Sequence, residues 1–368
     1  LEELINCKIE SPQSLEVIVV LNRPSWDIEA DGNMKINEAL IEKYNKRSGF
    51  PIHGLSLVFK NSKKAGVGMA RKMGMDLALQ RFLSVGNEAG WIVCLDADCR
   101  LSANYLSKLL SLQENDTEAV AGSLHFEHTI PPEGPASAIY QYELHLRYYV
   151  QMQRFLGLPY AFHTVGSSMF VRASDYARQG GMNTRKAGED FYFLHKFTLD
   201  RNFRDYHQPV VYPSARSSTR VPFGTGRAIL EFDQIYKSYA LESFDDLNAF
   251  LIWVRQKAKS VDKNISAGDR ECIPHTVVNF LQWEQFERQW NEILQHTAST
   301  NSFMKRFYQW FNAFRLMKCV HFLRDHYYPS KPILNVASEA LAEEWQDQEK
   351  DLLEIYRQKN RNTQWRAG

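Results

Sequence analysis

Residues 91–98 read Trp-Ile-Val-Cys-Leu-Asp-Ala-Asp, an unbroken apolar run that ends in two carboxylates at alternate positions. Such a run predicts a strand buried on both faces, as in a parallel sheet covered by helices. Asp96 and Asp98 then fall just beyond the strand's carboxyl end. Open α/β sheets bind their ligands in the crevice at that end. Paired hard oxygen ligands suit Mg²⁺ or Mn²⁺, ions that commonly bind through one or two carboxylates together with a substrate's phosphates. The competing reading is structural: an Asp-x-Asp after a strand also caps a following helix. The surrounding sequence discriminates between the two.

On both sides of the triplet, strand and helix patterns alternate. Glu16–Leu21 (EVIVVL) is a β-branched strand closed by Asn22-Arg23-Pro24, and a helix follows around Lys35–Asn45. Leu55–Phe59 is the next strand. The helix Ala65–Leu83 comes after it, opened by the small, basic segment Lys63-Lys64-Ala65-Gly66-Val67-Gly68. Beyond the Asp pair come a helix over Asn104–Leu112, a strand over Ala119–Phe126 and a helix over Tyr140–Leu156. Gly166–Val171 returns to strand character, Gly180-Gly181 turns, and Gly188-Glu189-Asp190 opens a helix running to Phe197. Pro209–Tyr212 is a short last strand. This alternation predicts an α/β fold with a doubly wound, mainly parallel, Rossmann-like sheet. From about Ala228 onward the periodicity is almost purely helical. The expected division is therefore 1–228 for the α/β region and 229–368 for a helical C-terminal region.

Composition narrows the function classes. The chain has 368 residues, 44% hydrophobic and 24% charged, with a formal net charge of +1. That balance carries no electrostatic footprint for nucleic acid. Five scattered cysteines without a CxxC pair read as reduced thiols, not as a disulfide framework or zinc site, which suits a cytoplasmic setting. No apolar stretch approaches the roughly 20 residues needed to span a bilayer. No signal-peptide pattern is present, and Leu1–Ile5 already reads as the middle of an amphipathic helix, so further sequence upstream is expected.

Four ordered segments together give the chain its likeness: Lys64-Ala65-Gly66 with Ala70-Arg71; Leu95-Asp96-Ala97-Asp98; Gly166 to Arg172; and Gly180-Gly181 followed by Gly188-Glu189-Asp190. In this order and spacing the region from about residue 15 to 200 resembles a family 2 glycosyltransferase of the GT-A fold. The resemblance implies an inverting transferase of hexosyltransferase type that uses a nucleotide-sugar donor and Mn²⁺ or Mg²⁺. It implies Asp98 as a metal ligand, with Asp96 on the ribose or the metal's waters. It places the catalytic base at Asp190, with Glu189 orienting the acceptor or supporting the base. Lys64 and Arg71 would lie along the nucleotide, Arg71 reaching the diphosphate or base. Asn22 stands where relatives often carry an Asp that reads the nucleobase. His207 is the nearest candidate for a third metal ligand. The first apolar strand of relatives has no counterpart after Leu1. The Gln-x-x-Arg-Trp motif of processive relatives is missing too, which argues against a polymer synthase.

The chemistry is sensible apart from any resemblance. Departure of a nucleoside diphosphate develops negative charge that a divalent ion can stabilise, and a carboxylate of adjusted pKa can take the acceptor's proton. Glu189-Asp190 before an apolar run is equally a good helix start. Tyr212–Arg227 holds Arg216, Arg220 and Arg227, several hydroxyls and a Gly-x-Gly turn. That composition can build an anion-binding nest over a diphosphate or an anionic acceptor.

In the helical region Phe303, Phe307, Trp310, Phe311, Phe314 and Met317 recur at helical spacing among Lys305, Arg306, Lys318 and Arg324. A basic aromatic helix could lie peripherally on a membrane carrying a lipid-linked acceptor. Packing against the acidic amphipathic segment Glu339–Glu354, or a homodimer through the tail, is the preferred reading. Two other functions compete: a sugar-phosphate nucleotidylyltransferase, against which Gly188-Glu189-Asp190 speaks, and a non-catalytic glycosyltransferase-like scaffold, against which both carboxylate pairs speak. The expectation is a metal-dependent glycosyltransferase acting on a saccharide or lipid-linked acceptor.

Overall fold

Each apolar run around the Asp pair becomes a strand in the computed structural model, which describes residues 1–7, 9, 15–27, 29–61, 65–130, 136–185, 188–217, 224–341, 351–363 and 365. The chain divides into two compact units. The first comprises 1–139, 162–231 and 361–366. Its strands are β1 (Val17–Pro24), β2 (Ile52–Phe59), β3 (Trp91–Cys94), β4 (Arg100–Leu101), β5 (Ala121–Phe126), β6 (Met169–Arg172) and β7 (Phe203–Tyr212). β1 and β2 pair in parallel, from Val17 opposite Ile52 to Pro24 opposite Phe59. The other five form one sheet in the order β3-β6-β5-β7-β4.

Strand directions in that sheet position the site. β6 runs antiparallel to both of its neighbours, β3 and β5, and β7 runs parallel to β5. β3, β5 and β7 therefore point the same way, and their carboxyl ends share one edge with the amino end of β6. Asp96 and Asp98, Glu127 and His128, Pro213 to Arg216, and Gly166 to Ser168 all follow or precede strands at this edge. The α/β, Rossmann-like architecture is thus present with mixed strand pairing. Burial on both faces makes GSSMFV apolar whichever way it runs, so its sequence carries no sign of direction. The two-residue β4 is too short to leave a hydrophobic period.

Side chains alternate across the sheet, as a strand's geometry requires. Trp91, Leu124 and Phe170 enter one core cluster with Tyr105 and Leu106. Ile92, Ala121, Met169 and Val171 enter another with Phe193 and Phe203. Trp91 stacks on Phe170 with ring centroids 4.1 Å apart. Fully burying such a side chain is worth about 1.5–3 kcal/mol. All six residues of β5 are buried, as expected of a central strand. The helix Val67–Ser84 packs against both β1 and β3. Its first turn thereby lies beside the carboxyl end of β3.

The second unit comprises 140–161, 232–360 and 367–368. Among its described residues it is helical apart from the short pair β8 (Lys237–Ser238) and β9 (Lys331–Pro332). The aromatic stripe lies on two helices, Thr300–Trp310 and Ala313–His326, separated where the Asn312 side chain accepts from the N–H of Arg315 and caps the second. Phe303, Phe307 and Phe311 are fully buried. Trp290 sits 4.6 Å from Phe303, and Phe250 packs on Phe307 and Phe311. These three rings are core of this unit and are not offered to a bilayer, while Trp310, Phe314 and Met317 are half-buried. Residues 342–350 of the acidic segment lie outside the described residues. No helix among the described residues is long and apolar enough to cross a membrane.

Candidate active site

Asp96 and Asp98 occupy the turn after β3, closed by the Cys99 N–H donating to the Asp96 carbonyl at 3.1 Å. Neither caps a helix. The next helix starts at Tyr105 with Asn104 in the capping position. Both carboxylates are part-exposed, and each faces a guanidinium. Arg71 Nη2 lies 2.5 Å from Asp96 Oδ1, and Arg216 Nη2 lies 2.8 Å from Asp98 Oδ2.

Arg71 projects from the first turns of the helix Val67–Ser84 and is largely buried, with only 12% of its side chain exposed. Its second nitrogen, Nη1, pairs with Oε1 of Glu189. One guanidinium therefore bridges two carboxylates distant in sequence. A fork with fixed nitrogens can do this, whereas a lysine point charge lacks the geometry. The path is tight: a Cβ on Gly166 would overlap the Arg71 guanidinium. A Cβ on Gly68 would overlap the Arg185 carbonyl oxygen and press on Glu189 Cβ. Two glycines, on separate elements, thus make room for the bridge and for the segment carrying Glu189.

Glu189 and Asp190 begin the short helix Glu189–Leu194. Gly188 precedes them at φ +67°, a left-handed conformation that glycine adopts without a Cβ penalty. Glu189 is 3% exposed. Asp190 accepts the Gly166 N–H at Oδ2 (3.0 Å) and the Phe191 N–H at Oδ1 (2.8 Å). Burial raises the pKa of both carboxyls above the ordinary carboxylate value, with Arg71 opposing the rise. For Arg71, burial works against the charged form, yet Asp96, Glu189 and Asp190 outweigh it and hold the guanidinium above its usual pKa.

The structure brings together Arg71, Asp96, Glu189 and Asp190, with Asp98 two residues beyond Asp96. The resemblance puts Arg71 on the nucleotide. Two of its nitrogens face carboxylates, Nη2 toward Asp96 and Nη1 toward Glu189, which supplies the counter-charge that a buried cation needs. Asn22 is exposed on β1, opposite Leu57. Arg227 pairs with Glu231 beyond its own helix turn. Lys64 and Arg220 lie outside the described residues. His207 sits on β7 where the register with β5 shifts, between the Leu124–Tyr206 and His125–Val210 pairs. Among the described residues no group of three or more His, Cys, Asp or Glu is placed to hold a metal ion, so His207 does not join Asp96 and Asp98.

Other features of this edge are not evident from the sequence. His125 Nε2 lies 2.8 Å from Glu127 Oε1, and His128 Nε2 lies 3.2 Å from Thr225 Oγ1. The signal available is the clustering of His125, Glu127 and His128 at the end of a strand parallel to β3. Arg216 stands out only as one arginine of its loop, and its pairing with Asp98 has no local signature.

Residues 31–178 match the family model described as Glycosyl transferase family 2. No curated protein matches the chain. The matched segment contains Arg71, Asp96, Asp98 and Gly166 and ends before Glu189 and Asp190, which reach the same place through the Arg71 bridge and the Gly166 amide. On the match and the strand arrangement together, residues 31–178 are similar to glycosyl transferase family 2, and the unit that contains them has a Rossmann-like α/β arrangement.

Proposed function

We propose that the first unit is a metal-dependent, inverting glycosyltransferase moving a sugar from a nucleoside-diphosphate donor to a saccharide hydroxyl, free or lipid-linked. The observation that carries this reading is the Arg71 guanidinium between Asp96 and Glu189. It draws the carboxylates suited to the donor's leaving group and those suited to the acceptor's proton into one site.

Asp190 is the base. Its two accepted N–H bonds fix the carboxylate plane, and burial keeps it more basic than an ordinary aspartate. As the acceptor oxygen bonds to the anomeric carbon, its proton passes to Asp190. The bond from that carbon to the diphosphate oxygen breaks on the opposite face, inverting the configuration. Glu189 stays paired with Arg71 and orients the segment.

Asp98 with Asp96 would hold Mn²⁺ or Mg²⁺. The donor set fits: each carboxylate already balances one cationic group, and such ions are commonly held by one or two carboxylates plus phosphates. When bound, the ion supplies Lewis-acid stabilisation of the departing diphosphate. Arg216 and Arg227, with Lys64, Arg220 and Asn22, would line the donor nucleotide and its phosphates. The second unit would contribute acceptor binding or assembly.

A panel of nucleoside-diphosphate sugars tests the reading by hydrolysis with and without Mn²⁺. Metal-dependent release of nucleoside diphosphate is expected from the wild type and lost in Asp98→Ala and Asp190→Ala. Hydrolysis surviving both substitutions overturns the assignment. Pyrophosphate release from a nucleoside triphosphate and a sugar phosphate points to the nucleotidylyltransferase.

A further inference from the structure

We infer that Arg71 is a positioning residue that ties the two halves of the site, so that an ion taken up at Asp96 is felt at Glu189 and the loss of the Glu189 partner is felt at Asp96. The inference deepens the reading above and rests on it for the roles of Asp98 and Asp190. It does not place Arg71 on the substrate.

Three observations carry it. First, the guanidinium uses different nitrogens for the two carboxylates, Nη2 for Asp96 and Nη1 for Glu189, so neither contact excludes the other. Secondly, the bridge joins three separate elements: the helix Val67–Ser84, the turn after β3 and the helix Glu189–Leu194. Thirdly, the surroundings are shaped to it, since a Cβ at Gly166 would occupy the guanidinium's place and one at Gly68 would displace the segment before Glu189.

The physical consequence is competition for one cation. Asp96 shares Arg71 with Glu189, which leaves Asp96 with more negative charge for a divalent ion than an exclusive pair would. If Glu189 is neutralised, Arg71 falls wholly to Asp96 and opposes the ion. If the ion takes Asp96, Arg71 falls wholly to Glu189 and steadies the segment that presents Asp190. Glu189, 3% exposed, depends on that partner because a buried carboxylate without counter-charge takes up a proton. Donor-side occupancy thus firms the acceptor side through side chains alone.

Binding of Mn²⁺ alone, read by electron paramagnetic resonance, tests this without turnover. Wild type, Glu189→Gln, Arg71→Gln and the double variant form a cycle, with Asp98→Asn as the control for the ion's site. We expect Glu189→Gln to weaken Mn²⁺ about three- to tenfold, in line with the coupling of residues in one charge network. Arg71→Gln should tighten it, and Glu189→Gln should change it by less than about twofold once Arg71 is gone. An equal effect of Glu189→Gln with and without Arg71 is plain through-space charge and overturns the tie. Absent Mn²⁺ binding, or binding that survives Asp98→Asn, overturns the metal reading instead. The tie is then decided by stability: Asp96→Asn and Glu189→Gln must be non-additive in thermal unfolding of the Arg71-containing protein. Additive losses there overturn it, and this cycle also serves if Arg71→Gln fails to fold.

Discussion

The backbone N–H of Gly166 donates to Asp190 Oδ2 at 3.0 Å, joining the entrance of β6 to the start of the helix that carries the proposed base. With the Phe191 N–H on the other oxygen, the carboxylate is oriented by main chain, which side-chain substitutions nearby do not remove. Asp190→Asn retains one of the two accepted N–H bonds, and we predict that it lowers the melting temperature modestly and transfer about 10²- to 10⁴-fold, the range of a lost general base. Turnover measured beside a thermal melt checks this. Undiminished turnover in the Asp190→Asn variant removes the base assignment.

The pH dependence follows from the direction of the shifts. Burial foremost raises the pKa of Asp190 and Glu189, against the lowering effect of Arg71. Transfer that needs ionised Asp190 should therefore rise with pH along a limb above the ordinary carboxylate value of about 4. Stability runs the other way. The folded state holds these protons more tightly than the unfolded chain, so this contribution is present below the unfolded pKa. It is lost as pH rises through the folded pKa. Glu189→Gln should flatten that fall in a series of melts across the acidic range. An unchanged slope contradicts the cause assigned to the shift.

Glycine substitutions separate close approach from open space. Gly166→Ala and Gly68→Ala force an atom onto Arg71 or the Arg185 carbonyl. We predict a loss of about 1–3 kcal/mol from overpacking, together with loss of transfer. Gly32, exposed in the helix Glu29–Asn45, has nothing within 4 Å of a built Cβ. Gly32→Ala should stabilise by about 0.5–1 kcal/mol and leave activity intact. Denaturant midpoints order the three variants; equal effects at all three sites contradict the packing account.

The order of elements in the first unit is legible because burial leaves period and propensity in the chain: EVIVVL, LSLVF and WIVCL all become strands. Strand direction is not legible, since a strand buried on both faces reads the same either way, and β6 is antiparallel. The acidic members of the site stand out because carboxylates after a strand or before a helix are locally conspicuous. Their cationic partners do not. Arg71 meets Glu189 and Arg216 meets Asp98 only through tertiary folding, and nothing at either arginine announces its partner. The aromatic stripe is legible in part: spacing gives its helical period but not the break at Asn312, nor the Trp290 and Phe250 that pack on Phe303 and Phe307.

Arg216 offers a further test, because it lies on Asp98 from an exposed position after β7. An exposed pair of this kind contributes little to stability. We predict that Arg216→Ala leaves the melting temperature unchanged and tightens Mn²⁺ alone, since Asp98 loses a competing cation. The same variant should raise KM for the donor if Arg216 turns to the diphosphate. Mn²⁺ binding and donor saturation are measured separately. Weaker Mn²⁺ binding in Arg216→Ala contradicts the competition.

In the second unit the decisive charge is Glu143, fully buried on the helix Ala136–Phe155. Its Oε1 accepts from Arg147 Nε at 2.8 Å and from Arg357 Nε at 2.8 Å, and its Oε2 accepts from Arg357 Nη2 at 2.9 Å. Arg147, also fully buried, donates from Nη1 to Asn360 Oδ1 at 2.7 Å. The network fastens the helix Leu352–Asn362 to the one bearing Glu143. Removing the anion alone takes from two guanidiniums, Arg147 and Arg357, the carboxylate that both face, so we predict that Glu143→Gln costs about 3–5 kcal/mol. Replacing Glu143, Arg147 and Arg357 together by methionine should recover much of that loss, because apolar side chains of similar volume carry no desolvation penalty. Chemical denaturation of wild type, Glu143→Gln and the triple methionine variant reads the difference. If the triple variant is the least stable of the three, the network stabilises through its charges themselves and the desolvation argument fails at this site.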